Sequence, residues 1–196
     1  MSARLNIGLI GSGFMGQAHA DAYCRAAMFY PDLPKRPHLY ALADQDQAMA
    51  ERHAAKLGAE KAYGDWRELV NDPQVDVVDI TSPNHLHYTM AMAAIAAGKH
   101  VYCEKPLAVN EQQAQEMAQA AEQASQSKSM FLATVSHELR TPLYGIIGNL
   151  DLLQTKELPK GVDRLVTAMN NSSSLLLKII SDILDFSKIE SEQLKI

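Results

Sequence analysis

The side chain best suited to chemistry is a histidine inside a stretch that favours helix. His137 is followed directly by Glu138, whose carboxylate can bond one ring nitrogen and leave the other as a nucleophile. A solitary histidine on a helix surface is more often an ordinary solvated residue. The residues around His137 are therefore needed to distinguish a histidine that takes part in group transfer from an ordinary surface histidine.

A second candidate site lies near the start of the chain. Gly11, Gly13 and Gly16 follow a short apolar run, residues 5–10, and precede a predicted helix over residues 17–28. Gly11 permits a tight turn, Gly13 lets a pyrophosphate approach the backbone, and Gly16 allows the helix to pack closely on the strand. The phosphates would lie at the helix N-terminus, where free N–H groups attract anions.

An acidic residue follows the second apolar stretch. Asp44 comes directly after residues 39–43 and could accept hydrogen bonds from both ribose hydroxyls of a dinucleotide, while its charge would repel a 2′-phosphate. The alternative is that Asp44 caps the helix predicted over residues 46–57. Phe14 and Met15 of the glycine turn would contact the same ligand. The pattern predicts NAD as the ligand in preference to NADP.

The elements that must hold this site alternate between strand and helix. After a loop rich in proline (Pro31, Pro34 and Pro37), further strands are predicted over residues 75–80 and 100–103. Helices are predicted over residues 65–70 and 86–97. This alternation predicts an α/β Rossmann domain, a doubly wound parallel sheet.

Four short segments in this part form a recognisable set: GSGFMG at 11–16, TSPNHLH at 81–87, AGKHV at 97–101 and CEKPLA at 103–108. Together they resemble the Gfo/Idh/MocA oxidoreductases, over about residues 3–112. The resemblance implies NAD(P) binding at the carboxyl ends of the strands, with Ser82, Pro83 and Asn84 lining the nicotinamide side.

The step Glu104–Lys105–Pro106, together with the strand before it, is quite specific to this family. The resemblance places Glu104 with the cofactor and Lys105 against substrate, where a lysine could steady a substrate oxygen or take part in proton transfer; an ordinary surface lysine is the alternative. His85 and His87 could be site residues or could serve helix initiation and packing. The family continues into a second α/β domain that nothing after residue 124 resembles, so a complete dehydrogenase is not expected.

A stretch of about 45 residues, 110–155, favours one long helix because it has almost no helix breaker. Its apolar residues follow the spacing of a helix in a bundle, with His137 on the opposite face, and Pro142 predicts a bend. A turn at 158–161 should lead to a second amphipathic helix. The apolar seams are Leu132, Val135, Leu139, Leu143, Ile146, Leu150 and Leu153 on the first helix, and Val162, Leu165, Met169, Leu176, Ile180, Ile183 and Ser187 on the second, flanked by Val166, Ile179 and Leu184.

The octet SHELRTPL at 136–143 resembles the phosphoacceptor motif of the HisKA histidine kinases, and in detail those of the Rcs phosphorelay. The resemblance extends to residue 190 and implies that His137 accepts a phosphoryl group beside Glu138. It also implies that Thr141 orients a water for dephosphorylation; a hydroxyl bonded back to a helix carbonyl is the alternative. The implied partners are a response-regulator receiver domain and a kinase ATP-binding domain supplied in trans. ATP itself is not expected to bind this chain.

Two helices bury little apolar surface, so the all-α hairpin should pair with a second copy as a four-helix bundle. The net charge of −5 and the absence of a basic patch argue against nucleic acid or an anionic membrane as partner. No membrane segment and no metal site are predicted. Cys24 and Cys103 form no disulfide framework, and we expect a cytoplasmic protein.

Two incomplete families meet within one helix, which is typical of an engineered fusion. The predicted domains are an NAD(P)-binding domain over residues 1–112 and a phosphoacceptor hairpin over residues 113–196, with the junction near Gln115 or Glu116. The main hypothesis is a phosphotransfer and dimerisation module carried on a dinucleotide-binding domain. The alternatives are an NAD-dependent oxidoreductase fragment and a structural scaffold with neither activity.

Overall fold

A computed structural model describes residues 3–154 and 162–193, with side chains over residues 4–154 and 162–185. The chain divides into two compact units after Ala124. The turn predicted at 158–161 and the side chain of Ser187 lie outside the described residues.

The first unit alternates strands with helices, as predicted. Its strands are β1 Ala3–Ile10, β2 Lys35–Ala43, β3 Lys61–Tyr63, β4 Val77–Ile80 and β5 His100–Cys103. Its helices are α1 Phe14–Phe29, α2 Gln47–Leu57, α3 Trp66–Asn71 and α4 His87–Ala96, with a 3-10 turn at Asn84–Leu86. The strands form one parallel sheet in the order β3-β2-β1-β4-β5.

The sheet is covered on both faces, which explains why its strands are continuous apolar runs. Leu9, Leu42 and Ala50 belong to one buried cluster. Ile10, Val78 and Ile80 belong to a larger cluster that also contains Met117 of the following helix. The sheet is thus the rigid layer that positions the loops at its carboxyl edge.

β2 differs from the prediction because it starts at Lys35 and contains Pro37, which was expected in a loop. β1 pairs with the whole of β2, whereas β3 pairs only with its residues 41–43. Among the described residues, the first half of β2 therefore has a neighbouring strand on one side only, and proline is tolerated there as it is in an edge strand.

The sheet order places β1 between β2 and β4, so the direction of winding reverses there. Neighbouring loops leave this point on opposite faces of the sheet, and the resulting crevice is where open α/β sheets bind their ligands. The glycine turn follows β1, Asp44 follows β2, and Ser82 follows β4.

The second unit is a helical hairpin built from α5 Glu111–Gln154, which begins in the first unit, and α6 Val162–Gln193. Arg140 Nη2 donates to Ser181 Oγ at 3.3 Å, and Asn170 Nδ2 donates to Asp151 Oδ1 at 2.8 Å. Because the numbers rise on one helix as they fall on the other, the two helices are antiparallel.

The predicted apolar seam divides into two rows. Leu143, Leu150, Val166 and Ile180 are buried within one hairpin. The other row remains exposed, and we call it the open row. It comprises Leu139, Ile146, Leu153, Met169, Leu176 and Ile183, each between 44% and 55% exposed.

None of the helices described is both long enough and apolar enough to cross a membrane.

Candidate functional site

The first candidate site is a cavity of about 950 Å³ at the carboxyl edge of the sheet. Volumes up to about 1,000 Å³ are typical of sites for small molecules and cofactors. Several of the cofactor-binding residues predicted from the sequence line this cavity: Gly11, Gly13, Phe14, Met15, Asp44, Ser82 and Pro83.

The glycine turn has the backbone geometry that its sequence predicts. Gly11 has a φ of +94°, which only glycine adopts without strain. A Cβ at Gly16 would overlap the carbonyl oxygen of Gly11, so this glycine permits the close approach of α1 to the turn. A Cβ at Gly13 would meet no atom of the described residues within 4 Å. The packing of the described residues thus does not require Gly13, and its open side suits a phosphate close to the N-terminus of α1.

Asp44 lies at the carboxyl end of β2 with its carboxylate tied to the glycine turn. Asp44 Oδ2 accepts from the Ser12 backbone N–H at 3.1 Å and from the Ser12 hydroxyl, and Oδ1 accepts from Gln45 N at 2.8 Å. Burial raises the pKa of Asp44, but these hydrogen bonds and the nearby His53 ring outweigh burial, so the pKa lies below its usual value. The cap of α2 is Asp46, whose Oδ1 accepts from Met49 N, and the capping alternative for Asp44 is therefore wrong.

The loop after β4 contains two histidines with different surroundings. His85 is exposed and lines the cavity. His87 is buried, and its ring nitrogens lie 2.8 Å from the Ser82 carbonyl oxygen and 2.9 Å from that of Pro106. His87 thus ties together the loops that follow β4 and β5. Asn84 begins the 3-10 turn and is not among the cavity-lining residues.

Glu104 and Lys105 follow β5 and do not line this cavity. Glu104 Oε1 lies 3.3 Å from Nε2 of His19, whose Nδ1 lies 2.9 Å from Oδ2 of the fully buried Asp79. Burial is the main cause that raises the pKa of Asp79. The Lys105 backbone N–H donates to Glu104 Oε2 at 3.0 Å, its peptide bond to Pro106 is cis, and the residue is exposed.

Sequence reasoning missed several residues of the cavity. Met49 and His53 of α2 and Trp66 at the start of α3 line it, as does Ser12 between the first two glycines. Ser12 lies inside the motif and could have been chosen from its position. His53 carries no such signal, because only the packing of α2 against the turn brings it to the site.

The second candidate site is His137 on α5. Its side chain is 82% exposed, and Nδ1 lies 3.8 Å from Glu138 Oε1, which is beyond hydrogen-bond distance. The Thr141 hydroxyl donates to the His137 carbonyl at 3.3 Å, the back-bonding alternative for this residue. Ser136, the preceding residue, is buried, and its hydroxyl has no hydrogen-bond partner among the described residues.

Two family models match the chain, one for each unit. The oxidoreductase family with an NAD-binding Rossmann fold matches residues 5–131. The His Kinase A (phospho-acceptor) domain matches residues 127–192. The matches meet inside α5.

Individual relatives divide in the same way. A crystal structure of an NAD binding oxidoreductase from Klebsiella pneumoniae is 98% identical with a TM-score of 0.62, over 63% of this chain and 33% of that one. Levoglucosan dehydrogenase from Pseudarthrobacter phenanthrenivorans is 48% identical over 53% of this chain and 27% of that protein. A structure of levoglucosan dehydrogenase in complex with NADH and levoglucosan is 44% identical with a TM-score of 0.60, over 61% of this chain and 32% of that one.

Sensor histidine kinase RcsC of Escherichia coli (strain K12) is 67% identical over an alignment of 138 residues, and the match covers 66% of this chain and 14% of that protein. The chain thus spans about a third or less of each of these relatives. Through residues 5–131 the chain belongs to the oxidoreductase family with an NAD-binding Rossmann fold, and it is a fusion of that domain with a His Kinase A phospho-acceptor domain.

Proposed function

We propose that the chain is a phosphoacceptor and dimerisation module carried on an NAD-binding domain, with the domains divided near residues 112 and 113. The observation that carries the first part is the 82% exposure of the His137 side chain. An imidazole must be accessible to attack a phosphoryl group, and Leu143, six residues along, is buried on the other side of the helix.

In this proposal a ring nitrogen of His137 attacks the phosphorus of a donor, the bond from phosphorus to the leaving oxygen breaks, and the imidazole loses its proton. Glu138 favours the reactive tautomer when its side chain rotates from 3.8 Å into hydrogen-bond distance. Thr141 is one helical turn from His137, where its hydroxyl would orient a water during dephosphorylation. The donor is a kinase ATP-binding domain in trans, and the acceptor is a receiver domain.

The glycine turn does not supply the phosphoryl group. After Gly16 come Gln17 and Ala18, where a loop that binds the terminal phosphates of ATP has a lysine and a hydroxyl residue. The test is incubation with labelled ATP and magnesium, with and without a separately expressed ATP-binding domain. We expect acid-labile label on His137 only when that domain is present, and none on a His137→Gln variant. Label acquired from ATP alone would contradict the proposal.

A second function, NAD(H) binding, is favoured by Asp44 at the edge of the cavity. The carboxylate would accept the adenosine ribose hydroxyls, the N-terminus of α1 would hold the pyrophosphate, and Ser82, Pro83, Asn84 and Glu104 would lie toward the nicotinamide. Lys105 would contact substrate in an enzyme with a complete substrate site. The titration of NADH against NADPH tests this role, and we expect NADH to bind at least about tenfold more tightly.

Asp44→Asn removes the negative charge of this side chain while keeping its size and shape. The amide can still hydrogen-bond a ribose hydroxyl but does not repel a 2′-phosphate, so the preference for NADH should shrink. Tighter binding of NADPH than of NADH by the unmodified chain would refute this role for Asp44.

A further inference from the structure

Ser12 connects two titratable side chains at the edge of the cavity. The residue is 2% exposed, and its hydroxyl lies within hydrogen-bond reach of both Asp44 Oδ2 and His53 Nδ1. His53 Nδ1 is also 3.6 Å from Asp44 Oδ2, and the His53 side chain is 32% exposed at the cavity wall. No residue of this trio was chosen from sequence except Asp44.

The number of available protons determines which ring nitrogen of His53 carries a hydrogen. A serine hydroxyl has one proton, and an ionised carboxylate can only accept. The Ser12 proton must therefore point to Asp44, and the Ser12 oxygen is left as the acceptor for a proton on His53 Nδ1. This leaves Nε2 as the ring atom that gains or loses a proton.

The charges around His53 come from several elements. Asp44 faces it from the end of β2. Lys56, one turn along α2, is bonded through Nζ to Gln17 Oε1 at 3.0 Å. The other charged or titratable groups are Arg52 beside it on α2, Asp65 and Arg67 on the loop and helix across the cavity, and His85 after β4.

We propose that His53 is a specificity residue whose protonation controls the choice between NAD and NADP, an inference that rests on the dinucleotide site proposed above. With Nε2 unprotonated, the trio presents the Asp44 charge and a further lone pair, and both repel a 2′-phosphate. With Nε2 protonated, the imidazolium offsets Asp44 and donates to the 2′-phosphate of NADP. Discrimination against NADP is therefore weaker when His53 is protonated than when it is neutral.

Trp66 gives a direct measurement, because it is the single tryptophan and lines the cavity. Quenching of its fluorescence by NAD⁺ and by NADP⁺ is titrated at about pH 8 and about pH 5.5, either side of the usual histidine range. The dissociation constant for NADP⁺ divided by that for NAD⁺ measures the discrimination against NADP⁺. This ratio should fall by about tenfold at the lower pH, as expected for one nearby charge. In His53→Gln this ratio should change by less than about threefold between the two pH values. The remaining pH dependence reflects protonation of the 2′-phosphate itself, whose pKa is about 6.

Two histidine variants serve as controls. His38→Gln removes a ring bonded to Glu60 at 2.8 Å that does not line the cavity, and it should keep the full pH response. His85→Gln removes the other cavity histidine and should also keep it. A ratio that does not change with pH in the unmodified chain, or a response that survives in His53→Gln or is lost in His85→Gln, would overturn the assignment. If NAD⁺ quenches Trp66 at neither pH, the dinucleotide site itself is refuted, and the role of His53 with it.

Discussion

At the scale of single residues, buried hydrogen bonds separate structural from chemical roles. The sequence left His85 and His87 with the same alternatives, and only the surroundings distinguish them. His87 spans two loop carbonyls and is buried, whereas His85 is open to the cavity. Composition and spacing carry no information on such contacts, because both partners are backbone carbonyls whose positions are set by the folded loops.

His87→Ala should lower the free energy of unfolding of the first unit by about 2–4 kcal/mol, since it removes the ring that bridges two loop carbonyls, leaves a buried carbonyl without its donor and creates a cavity. Urea unfolding followed by Trp66 fluorescence measures this loss. His85→Ala is the matched variant, and as an exposed substitution it should change stability by less than about 0.5 kcal/mol. Equal effects of the two substitutions would contradict the structural role of His87.

The carboxylate of Asp72 makes the stability of the first unit depend on pH in the acid range. Its carboxylate accepts from Lys61 Nζ and Tyr63 OH, both at 2.8 Å, and from Gln74 N at 2.9 Å. Burial raises its pKa, but these bonds outweigh burial and lower the pKa to about 2. The unfolded chain, with an ordinary pKa near 3.9, takes up the proton first as the pH falls. The stabilisation is therefore complete above about pH 5 and is lost as the pH falls toward 2.

Asp72→Asn tests this linkage. The variant should be less stable at neutral pH by about 1.5–3 kcal/mol, the range for hydrogen bonds to a charged group. Its stability should also fall less steeply than that of the unmodified chain between about pH 5 and pH 2. Asp32→Asn, at an exposed aspartate, should leave both the stability and the slope unchanged. Parallel curves for Asp72→Asn and the unmodified chain would refute the argument.

At the scale of elements, prediction from sequence succeeded where local chemistry dictates the structure. The turn at Gly11 requires a positive φ, and the long helix runs through residues with high helix propensity, so both could be read directly. β3 was missed because its three residues show no alternation and depend on pairing with β2. The sequence also could not distinguish the buried row of the hairpin from the open row. Apolar residues have the same spacing whether they contact the other helix of the same chain or a second copy.

The open row predicts how the hairpin associates. Leu139 and Ile146 lie seven residues apart on α5, and Leu176 and Ile183 repeat that spacing on α6. Half-exposed apolar residues at heptad spacing are typical of helices that pack against further helices. We therefore expect a dimer at micromolar concentration, with a four-helix core formed by two copies of this row.

Ile146→Asp combined with Ile183→Asp should give a folded monomer by light scattering, because both positions are about half exposed within one hairpin. Ile180→Asp should unfold the hairpin, since that residue is 7% exposed. Tyr144→Asp is the matched control. It is 60% exposed and seven residues after His137, hence on the face of the phosphoacceptor, and should leave the dimer intact. A mass near one chain for the unmodified protein would refute the association.

At the scale of the whole molecule, the family matches meet at residues 127–131, within one helix. The backbone hydrogen bonds of a helix connect residues only four apart, so two sequences can be joined inside it without any turn that must be preserved. The apolar clusters of the sheet and the buried row of the hairpin each lie within one compact unit. Each unit thus has its own source of stability.

Separate cores should give separate thermal transitions in calorimetry. NADH should raise the midpoint of the Rossmann transition only, by an amount equivalent to about 2.7 kcal/mol at 100 times its dissociation constant. Raising the protein concentration tenfold should raise the midpoint of the hairpin transition only, because a dimer is stabilised by mass action. Ile146→Asp with Ile183→Asp should remove the concentration dependence and leave the response to NADH. One transition that responds to both NADH and concentration would show that the two units unfold as a single cooperative structure.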